Sequence, residues 1–154
     1  MATHGFSNII ISGISSCVPK KKVENISFAT QSTENDIFKT IKMTGISSRR
    51  IAEENICASD LCFEAAEKLL EDLNIDRETI DMLIFVTQTP DYRIPANAPF
   101  LQDRLNLKKT VAAFDINLGC SGYVYGLSTA FSFANQSGFN RVFGLLTFQR
   151  RITF

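Results

Sequence analysis

The segment Phe114-Asp-Ile-Asn-Leu-Gly-Cys-Ser-Gly-Tyr-Val-Tyr-Gly126 holds the residue types most suited to covalent chemistry. An apolar strand ends at about Asp115, and a helix is expected to begin near Cys120. Gly119 and Gly122 flank the cysteine and its neighbour. A nucleophile on a sharp strand-to-helix turn needs small neighbours, because the backbone is tight and a substrate must approach it. A helix start also offers unpaired N–H groups and a positive dipole end. These stabilise a thiolate and can lower a cysteine pKa below its free value of ~8.5. The same N–H groups can steady an oxyanion. On topology alone, a reactive thiol and a small core hydrophobe fit Cys120 about equally. Cys17, Cys57 and Cys62 lack the glycine-flanked turn.

The elements around this segment alternate between strand and helix patterns. Cys120–Asn135 reads as a helix with almost no charged face, and Gly119, Gly122, Gly126 and Ala130 form a small-residue track along it. Such a helix is expected to be buried on all sides, with another backbone packed closely and Cys120 at the end of a buried shaft. Asn8–Ile14 reads as a strand, with Gly13 marking a bulge or a close backbone approach. Lys20–Lys22 reads as a solvated turn after Pro19.

Ser59–Leu73 reads as a surface helix capped by Ser59, with Asp60 favourable in its first turn. Its stripe of Cys62, Ala65, Ala66, Leu69, Leu70 and Leu73 points to a core, Glu64 and Lys68 form an outer pair, and Asn74 ends it. Met82–Val86 is an uninterrupted apolar strand, suited to a parallel sheet covered on both faces. A loop at Thr89–Pro95, a helix near Ala98–Leu105 and strands at Thr110–Asp115 and Arg141–Thr147 complete the pattern. The order indicates an α/β domain with a mainly parallel sheet. A paired-acid reading of Asp103 and Asp115 yields to the surface and capping roles expected for them. No Gly-rich phosphate loop follows a strand, which disfavours a nucleotide-binding module.

Bulk properties narrow the function classes. The 154 residues suit one compact domain with a sizeable core, and a 45% apolar content argues against disorder. Lys plus Arg equals Asp plus Glu at 16 each, so charge gives no reason to expect nucleic acid or an anionic membrane as partner. The apolar runs are too short to span a bilayer. No secretory signal is evident at the N-terminus, so a cytoplasmic location with reduced thiols is expected. The cysteines show no zinc spacing, and no metal or cofactor is expected.

Motifs in order along the chain resemble the β-ketoacyl-acyl-carrier-protein synthase III family of the thiolase superfamily. Gly13 with Pro19, Val23 and Asn25 is similar to the family's opening strand and loop. Thr44-Gly-Ile-Ser-Ser-Arg-Arg50 resembles its Thr-Gly-Ile-x-x-Arg motif. Asp91-Tyr-Arg-Ile-Pro95 resembles the loop before the third helix, and Ala113-Phe-Asp-Ile-Asn-Leu-Gly-Cys-Ser-Gly-Tyr the nucleophile signature. The match runs from about Asn8 to Arg141.

The resemblance implies a thiolase-like fold, here the N-terminal half of an αβαβα layered architecture with a mainly parallel mixed sheet. It implies that Cys120 takes an acyl group from an acyl-CoA or acyl-carrier-protein thioester and condenses it with malonyl-acyl carrier protein. Ile94, Lys39 and Arg49 are the implied substrate-binding residues, and a homodimer is implied when the enzyme is complete. Lys39 stands near a place where bacterial fatty-acid enzymes of the family often carry a tryptophan against adenine. This sequence contains no Trp, so a protein-borne donor is an alternative to CoA.

The family's assisting His and Asn belong to a C-terminal half without counterpart here, and His4 is not that histidine by position. Residues 1–154 therefore read as an N-terminal domain alone. The tail at 142–154 departs from the family pattern, for which an interrupted reading frame is the expected cause. The alternative to a condensing enzyme is a non-catalytic remnant acting as a binding or interaction module.

Overall fold

A computed structural model describes residues 5–28 and 33–147. The chain forms two compact units: Val18–Cys57, and the described residues on either side of it.

In the smaller unit, β1 (Lys21–Glu24) pairs antiparallel with β2 (Ser48–Ile51), and α1 (Glu34–Thr44) lies between them in sequence. Thr33 caps α1 by accepting the Asp36 N–H. Gly45 ends it in the left-handed region, φ 72°, donating its N–H to Ile41 O at 2.8 Å. That backbone geometry favours glycine and accounts for the Gly of the Thr-Gly-Ile motif. The expected turn at Lys20–Lys22 is corrected, because Lys21 and Lys22 open β1. Its short, lysine-bearing strand leaves these charges in solvent, which is why the pattern reads as a turn.

In the larger unit, β3 (Met82–Val86) is the centre of a parallel sheet ordered β4-β3-β5, with β4 at Ala112–Ile116 and β5 at Val142–Leu146. All of β3 is buried, as its continuous apolar run requires. Its side chains alternate between two clusters. Leu83 and Phe85 pack with α2 (Ala58–Asp72) and α3 (Asn97–Arg104), whereas Met82, Ile84 and Val86 pack with Ala130 and Phe133 of α4 (Gly122–Ala134).

Helix α2 buries Cys62, Ala66 and Leu70, as the stripe predicts. It starts one residue earlier than expected, so Ser59 is a buried first-turn residue and not the residue preceding the helix. The expected Glu64–Lys68 pair is corrected, because Lys68 makes its ion pair with Asp72, one turn further along the helix, at 3.0 Å. Asn74 ends the helix with φ 47°, and the Ile75 N–H returns to Leu70 O at 2.9 Å.

Two expectations about apolar segments are overturned. Asn8–Ile14 is not a strand, and Ile10 and Ile14 stand largely in solvent. No strand among the described residues takes up its backbone ladder, so apolar, β-branched composition alone cannot make it regular. Its Gly13 does mark a close approach, since a Cβ there would collide with Leu73. Helix α4 is not buried on all sides either, because Tyr123, Val124 and Tyr125 are exposed. Its glycine track meets the side chains of Val86 on β3, of Gln88 two residues beyond it, of Leu118 and of Leu146 on β5, and no other helix among the described residues.

Candidate active site

The carboxyl ends of parallel strands present free backbone groups and loops at one edge, which is where open α/β sheets place their chemistry. Here that edge is drawn together by backbone and hydroxyl groups. The Thr87 N–H donates to Ile116 O at 3.1 Å and the Thr147 N–H to Val86 O at 3.0 Å. The fully buried Thr87 hydroxyl lies 2.8 Å from that of Thr147 and accepts the Thr89 N–H at 3.1 Å.

Between the end of β4 and the start of α4, residues 117–121 turn through Cys120. The turn is closed by the Gly122 N–H donating to Gly119 O at 2.8 Å. The glycines follow from what lies beneath them. A Cβ on Gly119 would sit 2.5 Å from Gln88 Oε1. One on Gly122 or Gly126 would sit 2.8 or 2.9 Å from the methyls of Val86. A larger residue at Gly122 or Gly126 forces Val86 or the turn to shift, whereas the end of the Gln88 side chain at Gly119 can swing aside.

Cys120 carries an exposed thiol at the residue before the helix cap, Ser121, whose side chain makes no capping bond. The first-turn N–H groups of a helix have no intrahelical acceptors, so their positive end is available beside this thiol. Such a turn can hold an attacking sulfur and a developing oxyanion. Cys62 is the opposite case. Burial, with lesser contributions from Asp91 and Cys17, pushes its thiol up to about 12, so it stays protonated and inert.

Ile94 lies at the exposed tip of the loop before α3, 91% accessible, in a cis Ile94–Pro95 step. It belongs to the same unit as Cys120, whereas Lys39 and Arg49 belong to the smaller unit. Lys39 is exposed, with Asp36 at 3.8 Å. The Arg49 Nε donates to Asn25 Oδ1 at 2.8 Å, and the Asn25 Nδ2 donates to Ile46 O at 2.8 Å. Arg49 thereby fastens the motif that carries it.

Asp115 caps α3 from the neighbouring strand, in keeping with the capping role expected for it. Its carboxylate accepts the N–H groups of Asn97 and Ala98, each at 2.7 Å. Sequence reasoning did not single out Gln88, Thr87 or Asn97. Gln88 and Thr87 were signalled only by their place just after the buried strand, and Asn97 by its place at the start of a helix after Pro95. Among the described residues no cluster of His, Cys, Asp or Glu could hold a metal ion, and no helix is long and apolar enough to cross a membrane.

No family model matches the chain. A Campylobacter jejuni relative is 41% identical over 141 residues. The β-ketoacyl-[acyl-carrier-protein] synthase III of Caldanaerobacter subterraneus is 39% identical over 132 residues, 86% of this chain. The crystal structure of a 3-oxoacyl-(acyl-carrier protein) synthase from Burkholderia xenovorans superposes with a TM-score of 0.78 at 42% identity, covering 84% of this chain and 38% of that one. A Xanthomonas campestris OleA structure, 23% identical with a TM-score of 0.77 over 90% of this chain and 43% of that one, shares the fold.

The architecture is thus that of thiolase-like enzymes, of which this α/β unit with its parallel sheet represents half of the fold. Over most of its length the chain is similar to β-ketoacyl-[acyl-carrier-protein] synthase III enzymes. It spans about 39% of the length of the curated relatives it matches.

Proposed function

We propose that this chain is the nucleophile-bearing part of a β-ketoacyl-acyl-carrier-protein synthase III-type condensing enzyme. The observation that carries the reading is the exposed Cys120 thiol on a glycine-built turn at the carboxyl edge of the sheet. The Cys120 sulfur attacks the carbonyl carbon of an acyl-CoA or acyl-carrier-protein thioester. The tetrahedral oxyanion is held by N–H groups of the turn. Collapse of that intermediate expels the donor thiolate, which takes up a proton, and leaves the acyl group on Cys120.

In the complete enzyme, loss of carbon dioxide from malonyl-acyl carrier protein gives the carbanion that attacks this acyl-cysteine. The family's His and Asn assist that step from the C-terminal part. By resemblance to the family, Lys39 and Arg49 are read as substrate-binding residues and Ile94 as lying near the acyl chain. The complete enzyme is read as a cytoplasmic homodimer, with β5 along its two-fold interface.

The test is to incubate the purified chain with acetyl-CoA and with acetyl-acyl carrier protein and to map adducts by mass spectrometry. An acetyl adduct on Cys120, absent in Cys120→Ala, is expected. Absence of any adduct from either donor overturns the reading. Adding malonyl-acyl carrier protein is expected to give no steady β-ketoacyl product, because positioned donors of the missing kind are worth roughly 10²–10³ in rate each. A second reading, an interaction module without turnover, is favoured by the exposed Tyr123, Val124 and Tyr125 on α4.

A further inference from the structure

The carboxyl end of the central strand is pinned on both sides, and one side chain there stays out of the pinning. The Thr87 N–H is held by Ile116 O, and the Thr87 hydroxyl lies 2.8 Å from that of Thr147 and accepts the Thr89 N–H. The Thr89 hydroxyl lies 3.4 Å from that of Thr87. Thr87 is fully buried and Thr89 half-buried, whereas Gln88 between them is exposed. The backbone that carries Gln88 thus has a fixed place at the sheet edge that bears the Cys120 turn.

The Gln88 side chain does not trail into solvent. It reaches the turn that follows β4, and its amide lies against Gly119. Its Oε1 and Cδ are the atoms nearest the place of a Cβ on Gly119, at 2.5 and 3.5 Å. Gly119 immediately precedes Cys120, and successive Cα atoms are about 3.8 Å apart, so the amide stands beside the nucleophile's own backbone. With the carbonyl branch against Gly119, the NH₂ branch is left for another partner. Among the described residues this amide makes no hydrogen bond.

A head that can swing aside is no structural wedge. A neutral amide suits a place next to a thiolate, because a carboxylate of the same shape opposes the charge on sulfur. It also supplies an N–H donor where attack on a thioester develops negative charge on oxygen. From this juxtaposition we infer that Gln88 is a further catalytic residue of the Cys120 site, whose side-chain NH₂ donates a hydrogen bond to the thioester carbonyl oxygen. The inference rests on the acyl-transfer reading above. As the sulfur bonds to the carbonyl carbon, the C=O electron pair moves onto oxygen, and the Gln88 N–H strengthens its bond to that charge while keeping its proton. Collapse returns the pair and breaks the bond to the donor thiolate. The carbonyl is common to acyl-CoA and acyl-acyl carrier protein, so the role is the same for either donor.

The experiment compares the parent chain with Gln88→Leu, similar in size but without donor or acceptor, and Gln88→Glu, similar in shape but charged. Cys120 acylation by acetyl-CoA and by acetyl-acyl carrier protein is followed by intact-mass spectrometry. Alkylation by iodoacetamide reports the sulfur alone, because displacement of iodide forms no oxyanion. Gln88→Leu is expected to slow acylation by both donors about tenfold, the loss of one hydrogen bond, and to leave Cys120 alkylation at the parent rate. Gln88→Glu is expected to move the pH profile of Cys120 alkylation to higher pH, since a carboxylate beside the sulfur disfavours the thiolate.

Slowed acylation with unchanged alkylation in Gln88→Leu supports the inference, and a purely structural role would not give it. Equal slowing of both reactions shows a role in holding the turn and overturns it. Unchanged acylation in Gln88→Leu overturns it while leaving the acyl-transfer reading intact. An alkylation profile that does not move in Gln88→Glu sets the amide away from the sulfur and overturns it as well. Failure of the parent to be acylated by either donor overturns the acyl-transfer reading, and the role of Gln88 falls with it.

Discussion

The two faces of the parallel sheet are built to different ends. On one face, Leu83 and Phe85 of β3 meet α2 and α3, and the cluster includes Ile80, Leu101 and Leu105, all fully buried. Its outer surface carries ordinary ion pairs, Arg77–Glu67 at 2.7 Å and Arg104–Asp60 at 2.8 Å. On the other face, Met82, Ile84 and Val86 meet α4, whose contact surface is Gly122, Gly126, Ala130 and Phe133 and whose opposite surface shows Tyr123, Val124 and Tyr125. The first face is finished by charge and solvent. The second trades side-chain volume for closeness, which brings the Cys120 turn down onto the end of β3. A stable core and an accessible nucleophile make opposite demands on packing, and the central strand separates them by the alternation of its side chains.

The comparison breaks most completely at the nucleophile. Cys120→Ala is expected to abolish every acyl adduct on the chain, read by intact-mass spectrometry, while leaving circular dichroism and melting unchanged. Retained adduct would move the chemistry elsewhere. Gly122→Val tests the same face through sterics, since a branched side chain must displace Val86 or the turn. It is expected to slow Cys120 acylation by about 10²-fold, the scale of a misplaced reacting group.

The finished face should govern stability. Phe85→Ala, at a fully buried position, is expected to cost about 3–5 kcal/mol in chemical denaturation. Val124→Lys on the open surface of α4 is expected to change stability by no more than about 0.5 kcal/mol. Equal losses at the two positions would erase the distinction between the faces.

The cysteines give a chemical version of the same contrast. In brief iodoacetamide treatment at neutral pH, the exposed Cys120 is expected to be labelled before Cys17 and Cys62. Exposure alone does not separate Cys120 from Cys57, so faster labelling of Cys120 than of Cys57 is the sign of an activating turn. Cys62 is expected to react only after unfolding, because its pKa is pushed up to about 12. Labelling of Cys62 at the Cys120 rate in folded chain would show the α2 face to be open.

The smallest effect lies at the amino end of the sheet, where Asp81 ties the parallel strands. Its carboxylate accepts the Asn140 N–H at 2.9 Å and the Arg141 N–H at 3.2 Å, with Lys108 Nζ at 3.2 Å. The Asn140 N–H, then the Lys108 hydrogen bond, hold its pKa below the ordinary carboxylate value, against a partial burial that raises it. The depressed value favours the folded state above the unfolded pKa. That contribution is lost as pH falls through the folded value. The melting temperature of the parent should therefore drop more steeply than that of Asp81→Asn as pH is lowered below about 4. Parallel curves would remove Asp81 from the anchorage.

Periodicity and turn chemistry are local, and they were legible from residues alone. The run Met82–Val86 fixed the central buried strand, the stripe through Cys62, Ala66 and Leu70 fixed the core face of α2, and the glycine-flanked Cys120 marked the strand-to-helix turn. Partnership is not local. Asn8–Ile14 has a strand's composition but finds no ladder among the described residues, and α4 has a buried helix's composition but only the sheet to lie on. Lys21 and Lys22 form a strand because their backbone pairs with Ile51 and Arg50 of β2. The expected departure at 142–154 lies partly beyond the described residues, and within them Val142–Leu146 pairs in register with β3.

The sequence by itself determined which segments are apolar, where the chain must turn and which thiol stands between glycines, because these depend on neighbours along the chain. Only the tertiary structure decided what each glycine faces, that Asp115 caps a helix from another strand, and that Cys62 is sealed while Cys120 is open. Those facts depend on residues brought together from distant positions, and on how much solvent their packing excludes.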